Sequence, residues 1–315
     1  MRVISIGDLV IDYYYQDNKL IGLSGGMTSH NIIANLASMN IKTAVYGTVG
    51  DDTKGFLALK SLNDLGVDTS NVLIEKNTKT RTFHVTYITT EKTQIIKSKK
   101  RCPYCNNKCW YDESLINTTN ILNNLSNEDI LVFDNLNSKN QLIIDKIKND
   151  KLLDLGQYFE FEKLDNSEII AKLKNKFIII NLNERVAIYL KSRFHLNSYL
   201  ELYNLLNVKL LTITKGRKGA SFIYKNKIYN YTIKKAIKEK DATGAGDAFF
   251  SSIIKEYLEN NCTFDPTKFS LWYKNSLKLT SKVVTSFGAR THLINLYKVK
   301  SKENICTCSD FEITN

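Results

Sequence analysis

The residues best placed to do chemistry lie in Asp241-Ala-Thr-Gly-Ala-Gly-Asp247, which runs straight into Ala248-Phe249-Phe250. Small residues here occupy the point where a loop should turn into a helix. With no side chains in the way, the backbone N–H groups of Gly244, Ala245 and Gly246 can face an anion, and the helix dipole adds positive potential. Asp247 belongs to the same helix start. A free aspartate titrates near about 4, so its carboxylate is ionised at neutral pH and can take a proton from an attacking hydroxyl. A base beside an anion hole suits phosphoryl transfer, in which the protein mostly positions groups and stabilises charge. A plain helix cap needs neither two glycines nor flanking aspartates.

The elements that must position this loop follow from the apolar pattern. Residues 2–6 read as a short buried strand ending at Gly7-Asp8, with Tyr13-Tyr14-Tyr15 extended beyond it. After Gly25-Gly26, the spacing of Ile32, Ile33, Leu36 and Met39 predicts a helix over about 29–38, then a strand over 42–46. A helix over 53–65 and a loop to about Lys79 come next. The alternation in 82–89 and 93–97 predicts two antiparallel strands that interrupt the rhythm. Strands near 130–133, 152–155, 177–180 and 209–214, with helical stretches between them, imply a mostly parallel sheet covered on both faces. A hairpin over 220–224 and 227–231 and two long helices, about 246–259 and 267–286, complete the chain. The expectation is one α/β domain over 1–315 with a small β lid built from insertions at about 12–23 and 79–112. With 315 residues, two prolines and no Gly/Ser-rich linker, no domain boundary stands out.

Charge and composition exclude some classes. A net charge of +12 could suit a polyanion, but the lysines are scattered among asparagines and isoleucines, and the densest run, Lys97 to Arg101, is short. Nucleic acid is not an expected partner. No apolar run is long enough to span a bilayer, and Met1-Arg-Val-Ile-Ser-Ile-Gly does not have the pattern of a signal peptide, so no membrane partner and a cytoplasmic location are expected.

Asp241-Ala-Thr-Gly-Ala-Gly-Asp247 resembles the signature of the ribokinase-like, or phosphofructokinase B, family of carbohydrate and nucleoside kinases, with Ala242 where threonine is common. Further landmarks occur in the family's order over nearly the whole chain. Gly7-Asp8 with Asp12 is similar to the first strand and its substrate-holding aspartate. Gly25-Gly26 with Asn31 resembles the double-glycine segment, although four residues rather than three separate the glycines from the asparagine. Gly47, Gly50-Asp51-Asp52 and Gly55 resemble the next landmark. Asn181-Leu-Asn-Glu184 resembles the Asn-x-x-Glu element that orders magnesium. Thr214, Gly216 and Gly219 match the strand-and-glycine segment beside the nucleotide phosphates, with Lys215 departing from the usual small or apolar residue. Asn275 and Gly288-Ala289-Arg290 resemble the region flanking adenine.

The resemblance implies a ribokinase-like α/β fold and ATP-dependent phosphorylation of a small sugar or sugar derivative. Asp247 would be the base, Gly244 to Gly246 the anion hole, and Asp12, Gly25, Gly26 and Asn31 the substrate contacts. It also implies ATP with Mg²⁺, a monovalent cation such as K⁺ near Asp241 and Thr243, and a homodimer through the lid. A nucleoside acceptor is the second reading. A nucleotide or sugar sensor is a third, disfavoured because a sensor has no need of a proton acceptor. His30 reads as a packing or helix-cap residue. Lys79 and Arg81 are the only hint of a phosphorylated acceptor. Cys102-Pro-Tyr-Cys105 with Cys109 has the spacing of a zinc knuckle, but ordinary reduced thiols are the preferred reading, since Asn106 stands where such knuckles carry glycine.

Overall fold

Short, nearly unbroken apolar runs make the strands of this chain, because a parallel strand is buried on both faces. The computed structural model describes residues 1–17, 19–89, 94–107, 113–234, 237–299 and 313–314. In chain order the strands of the two larger sheets are β1 (Val3–Asp8), β2 (Val10–Gln16), β3 (Lys19–Gly25), β4 (Thr43–Gly50), β5 (Asp68–Glu75), β6 (Arg81–Thr89), β7 (Gln94–Lys99), β8 (Ile130–Phe133), β9 (Lys151–Leu155), β10 (Ile179–Asn183), β11 (Leu210–Thr214), β12 (Ala220–Tyr224) and β13 (Lys227–Tyr231), and a short pair, Lys298–Val299 with Ile313–Thr314, forms a third sheet. The helices are α1 (Thr28–Ser38), α2 (Thr53–Asn63), α3 (Thr118–Asn124), α4 (Ser138–Lys146), α5 (Asn166–Leu173), α6 (Glu184–Arg193), α7 (Tyr199–Leu206), α8 (Ala245–Glu259) and α9 (Phe269–Val283).

The central sheet has nine strands in the order β13-β12-β11-β10-β9-β8-β1-β4-β5. From β11 to β5 the strands run parallel, and the hairpin β12–β13 closes one edge antiparallel. Alternate strand residues feed two cores, as the pleat requires. Ile179 joins one core with Leu36 of α1, Leu57 of α2, Phe250 of α8 and Trp272 of α9. Ile180 joins the other with Ile144 of α4, Leu173 of α5, Leu190 of α6 and Leu206 of α7. The fold is therefore α/β with helices on both faces, as expected. Among the described residues no helix is long and apolar enough to cross a membrane.

Four strands form a separate sheet in the order β3-β2-β6-β7, which is the lid. The hairpin expected in 82–97 is β6–β7. Two strands differ from the sequence reading. β3 is covered only by the expected lid insertion at about 12–23 and not as a strand of its own, because Lys-Leu-Ile-Gly shows no sustained alternation. β5 was read as loop, because it is a partly exposed edge strand whose register shifts between Ala44 and Tyr46 of β4.

Strand order reverses at β1. The chain builds outward from β1 through β4 and β5, then crosses to β8 and builds the other way. The crevice at the carboxyl ends of strands flanking such a reversal is where open α/β sheets take ligands. Asp8 ends β1, and Asp134 directly follows β8.

Candidate active site

The Asp241–Asp247 loop reaches this crevice as the start of α8. Gly244 is the N-cap with φ 81, and a Cβ on it would collide with Ala289, so the backbone of 288–289 packs where a side chain would be. That conformation and close approach explain the first of the two glycines. The loop is fastened at its other end by Asp241, only 1% exposed. Its Oδ1 accepts the Thr243 N–H at 2.8 Å, and its Oδ2 accepts the Gly288 N–H at 2.7 Å and the Tyr87 hydroxyl at 2.5 Å. Tyr87 lies on β6, so the lid is bonded directly to the loop.

Asp247 occupies the first turn of α8, half-buried at the crevice. Burial pushes its carboxyl up to about 6, and the nearby Asp134 charge adds to the rise. Hydrogen bonding from Asn31 and the positive charge of Arg290 oppose it. The Asn31 Nδ2 donates to Asp247 Oδ2 at 2.6 Å. Asn31 is brought there by α1, which packs along α8.

Asp12 on β2 is 7% exposed and accepts the Tyr14 hydroxyl at 3.1 Å. Burial raises its carboxyl to about 7, offset in part by Arg290 and Tyr14. Gly26 lies against it, and a Cβ there would strike the Asp12 carboxylate. Gly25 is filled equally tightly, by Arg290 and Ser61. The glycine pair, Asp12, Asn31 and Asp247 thus share one neighbourhood, linked through Arg290, whose Nε donates to Asn31 Oδ1 at 2.7 Å and whose Nη2 donates to the Gly26 carbonyl at 2.7 Å.

On the β8 to β11 side, Asn181 is buried and fully engaged. It donates to Asp154 Oδ1 at 2.9 Å and accepts the Thr212 hydroxyl at 2.7 Å. Asp154 is pushed up by burial and by the Asp247 charge, and Asp134 by burial. Glu184 opens α6 and faces Lys218 at 3.3 Å. Thr214 ends β11, with its hydroxyl 3.4 Å from the Leu182 carbonyl. Gly216 (φ 54) opens a short turn, and Gly219 (φ 103) closes it against the Tyr231 carbonyl, where no side chain fits. The Lys215 ammonium turns inward to the Ser221 hydroxyl at 2.5 Å.

A family model described as pfkB family carbohydrate kinase matches residues 24–269. The chain belongs to this family. The bifunctional protein HldE of Helicobacter pylori strain J99 is 23% identical over 303 residues, which cover 85% of this chain and 61% of that one. The chain therefore spans about three fifths of the length of the curated relatives it matches. Two solved structures share the fold. One is an uncharacterized sugar kinase from Pyrococcus horikoshii in complex with ATP (TM-score 0.69, 19% identity, 91% of this chain and 93% of that one). The other is the nucleoside kinase of Methanocaldococcus jannaschii, described as an archaeal member of the ribokinase family (TM-score 0.69, 18% identity, 93% and 95%).

In this pfkB family chain, the residues assigned by resemblance to substrate and base converge. Asn275, assigned by resemblance to the adenine side, donates from α9 to Glu256 of α8 at 2.6 Å. The Thr243 N–H bonds to Asp241, whose carboxylate already accepts three donors, which leaves little of it for a monovalent cation. Among the described residues no three or more His, Cys, Asp or Glu side chains gather closely enough to hold a metal ion by themselves, so magnesium would be held mainly through its own water and the nucleotide phosphates. His30 is a core residue. It is held neutral by burial, down to about 3, with Nδ1 at 2.9 Å from the Ser5 hydroxyl. Arg81 pairs with the buried Asp8 at 3.3 Å, so its charge does not by itself mark a phosphorylated acceptor. Cys102 is buried and Cys105 exposed, while Cys109 lies outside the described residues.

Sequence reasoning missed Asp134, Asp154, Tyr87 and the reach of Arg290. Asp154 had a signal, as the one polar residue inside the strand Lys-Leu-Leu-Asp-Leu. Asp134 had another, as the first residue past a buried strand. Arg290 was grouped with the adenine side, yet its guanidinium lies beneath the glycine pair.

Proposed function

We propose that this chain is an ATP-dependent phosphotransferase that moves the γ-phosphoryl group to a hydroxyl of a small sugar or sugar derivative. The observation that carries this reading is a single neighbourhood joining a half-buried carboxylate at a helix N-terminus, Asp247, to a second carboxylate on the lid strand, Asp12. Asp12 would accept hydrogen bonds from acceptor hydroxyls. Asp247, poised near about 6, would take the proton of the attacking hydroxyl, since a base works best with a pKa near the operating pH. The backbone of Gly244 to Gly246 would face the transferring group with the positive end of α8 behind it. Magnesium bound with ATP supplies charge neutralisation on the phosphates. Asn181 and Glu184 would order its water shell, as the resemblance implies, with Asp154 held by the Asn181 amide. The strand-and-turn from Thr214 to Gly219 is the proposed nucleotide side.

A nucleoside acceptor is the second reading. Tyr14 and Tyr87 stack with ring centroids 6.3 Å apart on the Asp12 face of the lid, and Phe287 lies 4.8 Å from Tyr87. Both tyrosines are 0% exposed and pack the lid core, so only the partly buried Phe287 leaves ring surface for a nucleobase.

The test is ADP release from ATP and magnesium across a panel of sugars, sugar phosphates and nucleosides, with Asp247→Asn as the blank. A signal that depends on one acceptor class and vanishes in the variant supports the reading and identifies the class. Release that is equal with every acceptor and with none, or unchanged in Asp247→Asn, refutes it.

A further inference from the structure

We infer that Arg290 is a positioning residue that locks the Asn31 side-chain amide in the one orientation that presents its Nδ2 to Asp247. The inference rests on the reading of Asp247 as the base.

The geometry is specific. Arg290 is 1% exposed, yet no carboxylate lies within ion-pair distance of it among the described residues. Its fork instead meets three neutral acceptors, each from a different part of the substrate side. Nε donates to Asn31 Oδ1 at 2.7 Å, Nη1 to the Ser61 hydroxyl at 2.9 Å, and Nη2 to the Gly26 carbonyl at 2.7 Å. Burial lowers the pKa of the guanidinium to about 10, against the opposing charges of Asp12 and Asp247, and those nearby charges alone do not fix where each donor of the fork points. The consequence lies one bond further on. An amide can turn over and exchange its oxygen for its nitrogen, and then Asn31 would face Asp247 with an acceptor. A guanidinium has donors only, so it binds the oxygen and forces the nitrogen outward to Asp247 at 2.6 Å. A lysine in this place could supply charge but not three donors in a fixed plane. The space for the fork exists because residue 25 is glycine.

Charged and titratable groups that act on this chain of contacts are Asp12, Tyr14, Asp134, Asp247 and Tyr297. The test must therefore separate charge from orientation. The whole chain, labelled with ¹³C at aspartate carboxyls, is titrated by NMR, with the Asp247 signal assigned by its loss in Asp247→Asn. Arg290→Lys keeps the charge and loses the fork. Asn31→Asp keeps Arg290 and the shape of residue 31, and turns the outward nitrogen into an oxygen. In both variants the Asp247 midpoint is expected to rise by about one pH unit or more, because a donated hydrogen bond is lost or a like charge gained. The Arg290→Lys shift is also expected to disappear when it is made in an Asn31→Leu background, since the two act in series. An Asp247 midpoint unchanged in Asn31→Asp, or an Arg290→Lys shift that persists without Asn31, overturns the inference. If Arg290→Lys does not fold, Ser61→Ala, which removes one acceptor of the fork and leaves its charge, replaces it in the same comparison with Asn31→Leu. Turnover by Asp247→Asn is scored separately. An active variant defeats the reading of the base, whereas an inactive one with unmoved midpoints defeats only the role of Arg290.

Discussion

At the scale of single residues, the protonation of Asp247 decides turnover in the proposed reaction. Asp247 must be ionised to act, and burial holds its midpoint up at about 6. Turnover should therefore fall on the acid side with a limb near that value, and a rate–pH profile of kcat checks it. A limb near 4, the value of an exposed aspartate, would contradict it. The same shift has a stability consequence of definite sign. The folded chain keeps a proton on Asp247 between about 4 and 6 that the unfolded chain has released, so this group's contribution to stability is greatest below about 4 and is lost as pH rises through about 6. Asp247→Asn should thus be more stable than the natural protein at pH 7, by about 1–3 kcal/mol or a few degrees in Tm, and no more stable at pH 4. Thermal unfolding at the two pH values reads this directly. The chemistry of Asp247 was legible in the sequence because two glycines and two aspartates at that spacing have few other uses. Arg290 was not, because its partners lie 259, 229 and 264 positions away and no local pattern reports such contacts.

At the scale of elements, tight glycine contacts and the lid connection decide how the site is held. Gly25→Ala should place a methyl group against Arg290 and Ser61, and Gly26→Ala against Asp12. Both are expected to raise KM for the acceptor by about tenfold or more while leaving KM for ATP within about twofold, because misplacement of the acceptor groups is costly and the nucleotide side is separate. Steady-state kinetics with each substrate varied would show it. Gly244→Ala differs, since φ 81 and contact with Ala289 both oppose a side chain there, and it should lower kcat as well as Tm. The lid carries its own prediction. Asp52 caps α2 by accepting the Gly55 N–H and also accepts the Thr80 N–H and hydroxyl, so the root of β6 is fixed. Further along β6, Tyr87 meets Asp241, whose carboxylate then accepts three neutral donors. Turnover should accordingly vary by less than about twofold among potassium, sodium and tetramethylammonium chlorides, since the carboxylate needs no cation to satisfy it. Strong activation by potassium would show that Tyr87 yields its place. The β6–β7 hairpin was readable from alternation, whereas β3 and β5 were not, because their burial comes from tertiary neighbours and not from their own pattern.

At the scale of the whole molecule, the fold explains why residues so far apart in sequence meet. The parallel sheet reverses its order at β1, and the crevice at the carboxyl ends collects Asp8, Asp134, Asp154 and the start of α8. Repeated strand–helix units made this architecture legible, since βα repeats leave few ways to pack. Which hydroxyl compound enters the crevice was not legible, because the double-glycine segment departs from the usual spacing and the contacts under it come from the far end of the chain. The central claim is that Asp247 takes the proton of the acceptor. Its most direct test compares phosphoryl transfer by the natural protein and Asp247→Asn, with an acceptor found by ADP release and with ATP affinity measured alongside. A loss of kcat of about a thousandfold or more, with ATP affinity preserved within a few fold, is expected from removal of a group needed only in the transition state. Retention of a tenth or more of the activity, ~0.1 of the natural kcat, would contradict it.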